Sequence, residues 1–173
     1  MYWNKTQLKY IINLYCINTS DYPTVFFMIT FIYLINQMDN CIFCKIISKQ
    51  VPSYIIDENE YVVAILAKDM ECFGHTLIIP KKHFENVFDI DDNYLKEFIL
   101  FTKNLAVKYK DKLWATGVNI LNANWKAAQQ SVPHLHFHLI PRLPGDNMDT
   151  WPKFEKYEWD HEIVLQKIRE KIF

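Results

Sequence analysis

The 173-residue chain is poor in glycine, with only Gly74, Gly117 and Gly145. Their spacing leaves no G-x-G-x-x-G fingerprint and no P-loop, so any phosphate must be held by another device. Charge of one sign is also missing. The net charge of −1 gives no basic face for duplex nucleic acid, although a mononucleotide needs none. No apolar run is long enough to span a bilayer, which takes about 20 residues. The longest, Val25–Ile35, is followed by Asn36-Gln37-Met38, which lacks the small residues of a signal-peptide cleavage site. Cysteine is sparse as well. Of Cys16, Cys41, Cys44 and Cys72, only the Cys41/Cys44 spacing reads as a motif. This argues for a reducing, cytoplasmic compartment and against a disulfide framework.

What is present is concentrated in His134-Leu135-His136-Phe137-His138-Leu139-Ile140. Half of the six histidines stand here at strict alternation. A period of two implies a strand with three imidazoles on one face and apolar residues on the other. Imidazole serves near pH 7 as nucleophile, acid, base or metal ligand. Plain metal binding is the main rival to catalysis, and a half-exposed strand with chance histidines is the bland alternative. Imidazole attacks phosphorus well and its phosphoramidate is labile, so one hard displacement can become two easier ones. The preceding loop, Gln129-Gln130-Ser131-Val132-Pro133, offers donors for the developing charge.

Cys41-Ile42-Phe43-Cys44 is the second constellation. Two thiolates in a C-x-x-C turn suit zinc, which then takes two more N or S ligands. His83, after Lys81-Lys82, and one histidine of the triplet are the candidates. A redox pair is the rival, without the βαβ context of a thioredoxin-like motif.

Patterning divides the chain at Met38. Residues 1–37, rich in Ile, Tyr, Phe and Asn, read as an upstream extension outside the domain. Residues 38–150 read as the domain and 151–173 as a C-terminal extension. Cys41–Lys49 predicts a metal-holding turn and short helix. Strands are expected at Tyr54–Asp57, Tyr61–Leu66, Thr76–Ile79, Gly117–Leu121 and His134–Ile140. A long helix, capped at Asp91 or Asp92, buries Leu95, Phe98, Thr102, Leu105, Ala106, Tyr109 and Leu113. A last helix, Glu162–Ile172, carries Val164, Ile168 and Ile172 on one face. The class is α+β: a five-stranded antiparallel sheet, one long helix and a C-terminal helix. Such a sheet leaves apolar surface uncovered, so a homodimer is expected.

From Met38 to about Trp151 the chain resembles the histidine-triad (HIT) family. The resemblance rests on Cys41-Ile42-Phe43-Cys44-Lys45-Ile46-Ile47, on Gly74-His75-Thr76-Leu77-Ile78-Ile79-Pro80-Lys81-Lys82-His83, and on Gln130-Ser131-Val132-Pro133 through Pro141-Arg142. It implies a dimeric enzyme that hydrolyses or transfers nucleotides at the α-phosphate. His136 would be the nucleophile, forming a nucleotidyl-histidine intermediate. His138 would donate to α-phosphate oxygens, and Ser131 would stand near the leaving group with Gln130 before it. The carbonyl of His134 would orient the nucleophile. His75 matches an upstream fourth histidine, and Asn124 a loop asparagine near ribose and phosphate. As in zinc-bearing bacterial members, Cys41, Cys44, His83 and His134 would hold Zn2+, with no organic cofactor.

Two positions depart from the family. Ala67 stands where an aspartate usually holds the ribose hydroxyls, with Asp69 two residues later, and Trp125 stands where glycine usually follows the loop asparagine. The expected substrate is a purine nucleoside phosphoramidate or related nucleotidyl conjugate. A dinucleoside polyphosphate is the alternative within the class. A zinc-stabilised nucleotide-binding module with little turnover is the alternative outside it.

Overall fold

The computed structural model describes residues 40–150 and 158–172. The expected extension 1–37 lies outside the described residues, as do 151–157 and 173. Helix α1 (Ile42–Ile47) precedes β1 (Ile55–Glu58), β2 (Val62–Leu66) and β3 (Thr76–Pro80). Helix α2 (Asp92–Lys112), β4 (Gly117–Leu121), β5 (Phe137–Arg142) and helix α3 (His161–Ile172) follow. The strands form one five-stranded sheet in the order β1-β2-β3-β5-β4, every neighbouring pair antiparallel. This is the α+β architecture the sequence implies.

The sheet separates two apolar clusters. On one face α2 lays Phe98, Leu105 and Tyr109 against Val62, Ala64, Ile78, Leu135, Phe137 and Leu139. Asp91 caps this helix by accepting from the Tyr94 N–H at 2.9 Å. Thr102 fits the apolar stripe because its hydroxyl donates to the Phe98 carbonyl at 2.8 Å. On the other face α1 packs Phe43 and Cys41 against Val63, Ile65 and Ile79.

One expected element needs correction. The strand expected over His134–Ile140 begins at Phe137 and runs on to Arg142. His134, Leu135 and His136 precede the ladder because Leu135 N–H donates to the carbonyl of Phe84 at 2.6 Å instead. The alternation still holds across the boundary: Leu135, Phe137 and Leu139 join the α2 core. In α3, the expected face is not buried: Ile168 and Ile172 are exposed. Ile99 and Leu100 of α2 are exposed too. Among the described residues, no helix is long and apolar enough to cross a membrane.

Candidate functional site

The register of β3, β5 and β4 assembles the imidazoles. His138 pairs with Leu77 on one side and Leu121 on the other. His75, two residues before Leu77, therefore shares its face and sits diagonal to His138. Its Nε2 lies 2.9 Å from Nδ1 of His138. His136 and His138 have ring centroids 5.2 Å apart. His75, His134 and His136 are buried. Gly74 lets β3 start here: its φ is +82°, and a Cβ would meet Pro141 at 3.3 Å.

Hydrogen bonds to carbonyls fix two of the tautomers, since a carbonyl only accepts. His136 Nδ1 donates to the His134 carbonyl at 2.7 Å, which leaves Nε2 of His136 with a free lone pair. His134 Nε2 donates to the Pro80 carbonyl at 2.9 Å, which turns the lone pair of its Nδ1 toward the thiols. The backbone of His136 is held by Asn122, whose amide donates to the His136 carbonyl at 2.9 Å. Phe43, from α1, sets its ring edge-on to both His134 and His136.

Burial lowers the basicity of this array by penalising the imidazolium form. It pushes His136 below the ordinary histidine value, with the His134 carbonyl working the other way. His138 is pushed down to about 4 by burial, and further by His136 and His75. Both rings are neutral near pH 7, the form in which imidazole is a nucleophile.

Cys41, Cys44, His83 and His134 converge, with their ligand atoms all within 4.8 Å of one another. Sγ of Cys41 lies 3.3 Å from Nδ1 of His134. Sγ of Cys44 lies 3.3 Å from Nδ1 of His83 and 3.7 Å from Nδ1 of His134. A tetrahedron with legs of about 2.0–2.3 Å has edges of roughly 3.3–3.8 Å, which these three distances match, so the group could hold a metal once its wider pairs close in. Burial drives the Cys41 thiol up, but hydrogen bonds from the facing imidazoles outweigh it and hold the group down at about 5. Burial and the Cys41 charge push Cys44 up to about 12. Among the described residues Cys41, Cys44 and Cys72 are free thiols.

The loop residues are placed differently from one another. Ser131 is exposed in the bend before the histidines. Gln130 is a clamp: its Oε1 accepts from the Trp125 N–H at 2.6 Å, and its amide donates to the carbonyls of Glu85 and Val132. Asn124 accepts from the Val87 N–H at 2.9 Å and donates to Asn122, so its amide is used inside the loop. Ala67 is buried at the end of β2, and Asp69 is exposed in the following loop. Asn122 and Phe43, which hold the surroundings of His136, do not stand out in the sequence. Only the fold shows which asparagine faces a carbonyl.

Trp125 sits at φ 67°, ψ 168°, a backbone region that essentially only glycine occupies at ease. The strain is worth about 1–3 kcal/mol. Its indole packs on Phe88 at a centroid distance of 4.5 Å, which returns about 0.5–1.5 kcal/mol. Trp125→Gly is therefore expected to raise stability by about 1 kcal/mol, the difference between those two ranges. Urea denaturation checks the sign; a variant less stable than the parent means the ring pair outweighs the strain.

A model of the HIT domain matches residues 48–145. The chain is 44% identical over 130 residues to an uncharacterised HIT-like protein of Methanocaldococcus jannaschii, covering 75% of this chain and 98% of that one. It is 42% identical over 134 residues to an adenosine 5′-monophosphoramidase of Saccharomyces cerevisiae, covering 74% of this chain and 82% of the enzyme. A Zn-bound histidine triad family protein from Mycobacterium smegmatis superposes with a TM-score of 0.62 at 30% identity, covering 77% of this chain and 93% of that one.

Proposed function

The chain belongs to the HIT family, and from that premise we propose that it is a nucleotide hydrolase or transferase acting at an α-phosphate through His136. The preferred substrate is a purine nucleoside phosphoramidate. The observation that carries this reading is the His136 Nδ1–H bond to the His134 carbonyl, which leaves Nε2 as the nucleophilic atom. In the first step a bond forms from Nε2 to phosphorus, and the bond from phosphorus to the amine breaks. The amine leaves with a proton that the hydroxyl of Ser131 would relay, regaining its own from solvent. In the second step water attacks phosphorus, the bond from phosphorus to Nε2 breaks and frees the neutral ring, and the proton of the water goes to solvent as the nucleoside monophosphate leaves. His138 stands beside the nucleophile to meet the phosphoryl oxygens.

Zinc is the metal that best suits two thiolates and two imidazole nitrogens, and the similar mycobacterial protein is described as Zn-bound. Its place would be structural, behind the nucleophile. The protein is cytoplasmic, where thiols stay reduced. The exposed Ile99 and Leu100 suit a homodimer. That the yeast relative is an adenosine 5′-monophosphoramidase favours a phosphoramidate over a dinucleoside polyphosphate. The test is direct: the purified chain is expected to release AMP from an adenosine phosphoramidate carrying a fluorogenic amine. Nucleotide binding without AMP release would replace this reading with that of a binding module.

A further inference from the structure

His75 has a buried nitrogen that the proposed reaction does not use. The ring is 2% exposed. Its Nε2 faces Nδ1 of His138 at 2.9 Å. Two ring nitrogens at that distance share one proton, and either ring could supply it. The choice is made at the far side of His75. There Nδ1 is buried and lacks an aligned hydrogen bond. A carboxylate oxygen of Glu71, whose side chain is two-thirds exposed, lies 3.1 Å from it, across a turn in which His75 N–H donates to the Cys72 carbonyl. A buried donor without a partner costs about 1–3 kcal/mol, so a small side-chain adjustment that aligns this contact is favoured. A carboxylate only accepts. The proton of His75 then resides on Nδ1, its Nε2 is a lone pair, and His138 must carry its own proton on Nδ1.

We propose that Glu71 is a positioning residue that fixes the proton of His75 on Nδ1 and, through it, the proton of His138 on Nδ1, leaving Nε2 of His138 as a free lone pair. The consequence for chemistry rests on the proposed place of His138 at the phosphate. A lone pair facing a phosphoryl oxygen repels it. Nε2 of His138 therefore takes a proton from solvent as the anionic substrate binds, and gives it back when product leaves. The imidazolium so formed donates from both nitrogens, to His75 and to the phosphoryl oxygen. Burial and the neighbouring rings of His136 and His75 oppose that charge. The Glu71 charge, one ring away, favours it.

The experiment reads ring protons directly. The full chain, labelled with 15N-histidine and loaded with zinc, is examined by long-range 1H–15N correlation, with His75→Asn and His138→Asn for assignment. His75 and His138 are expected as Nδ1–H tautomers in the parent. Glu71→Leu is expected to move both to Nε2–H. Glu71→Gln keeps an acceptor without the charge, so it should hold both rings as the parent does. A parent with the His75 proton on Nε2, or tautomers unmoved in Glu71→Leu, overturns the proposal. Tautomers that follow Glu71 in a chain releasing no AMP support the Glu71 assignment and overturn the proposed reaction instead.

Discussion

His136→Gly is expected to lower turnover of an adenosine phosphoramidate by on the order of 10³-fold or more. The size follows from the role. Removing the nucleophile removes the covalent path entirely, and only binding and electrostatic help remain for direct attack by water. The ring is buried and packs edge-on to Phe43, so its loss also opens a small cavity. His136→Asn separates the two effects. Its amide can still donate to the His134 carbonyl that now receives Nδ1–H, so the fold should survive with an unchanged melting profile. Free imidazole added to the glycine variant should restore part of the rate by occupying the space left by the ring. A variant that keeps a tenth of the parent's turnover would remove His136 from the covalent step. Ser131→Ala should cost less, because it deletes one donor at the leaving group and leaves the attack intact.

Local pattern and long-range pairing contribute differently to what could be read in advance. The alternation of His134 to His138 assigned the faces correctly, since the period of two is a property of extended backbone itself. It could not say where the ladder starts, because Phe137 pairs with Ile78 and His138 with Leu77 and Leu121, far away in the chain. The long helix was legible from spacing and cap. Burial of Thr102 was also expected, but the Phe98 carbonyl that satisfies its hydroxyl emerges only in the helix. The Cys2His2 group was named from a motif and a resemblance, and the fold brings its four members together. Asn124 and Gln130 came from the resemblance to the family. The hydrogen bonds their amides make to Trp125, Val87 and Glu85 depend on the loop's path, which spacing does not give. Glu71 was invisible because it reaches His75 through an irregular turn, where spacing carries no rule. The positive φ of Trp125 runs against its residue type. A departure from the glycine pattern pointed to the position, but not to the strain.

The metal group offers the second large effect, and it reaches the nucleophile. One zinc per chain is expected by elemental analysis, and Cys41→Ser is expected to lose it to a mild chelator that leaves the parent loaded. Structural zinc contributes directly to folding free energy. A loss of about 3 kcal/mol, at roughly 2–4 °C per kcal/mol for a chain of this size, lowers Tm by about 10 °C. The same change should depress kcat, for a reason visible in the hydrogen bonds. The ring of His134 is held at Nε2 by the Pro80 carbonyl and faces the thiols with Nδ1. Its carbonyl in turn holds Nδ1 of His136. Freeing one end of His134 loosens the group that sets the tautomer of the nucleophile. His83→Ala provides the contrast. It removes a ligand that touches Cys44 and packs on the His134 ring, but it leaves the bonds that His134 makes to Pro80 and His136 in place. It should therefore match Cys41→Ser in metal loss while retaining more activity when zinc is supplied in excess. Cobalt(II) in place of zinc should give the visible absorption of a tetrahedral thiolate site, absent in Cys41→Ser. A parent chain that binds no zinc, or a Cys41→Ser variant with unchanged Tm and metal content, would take the metal out of this site.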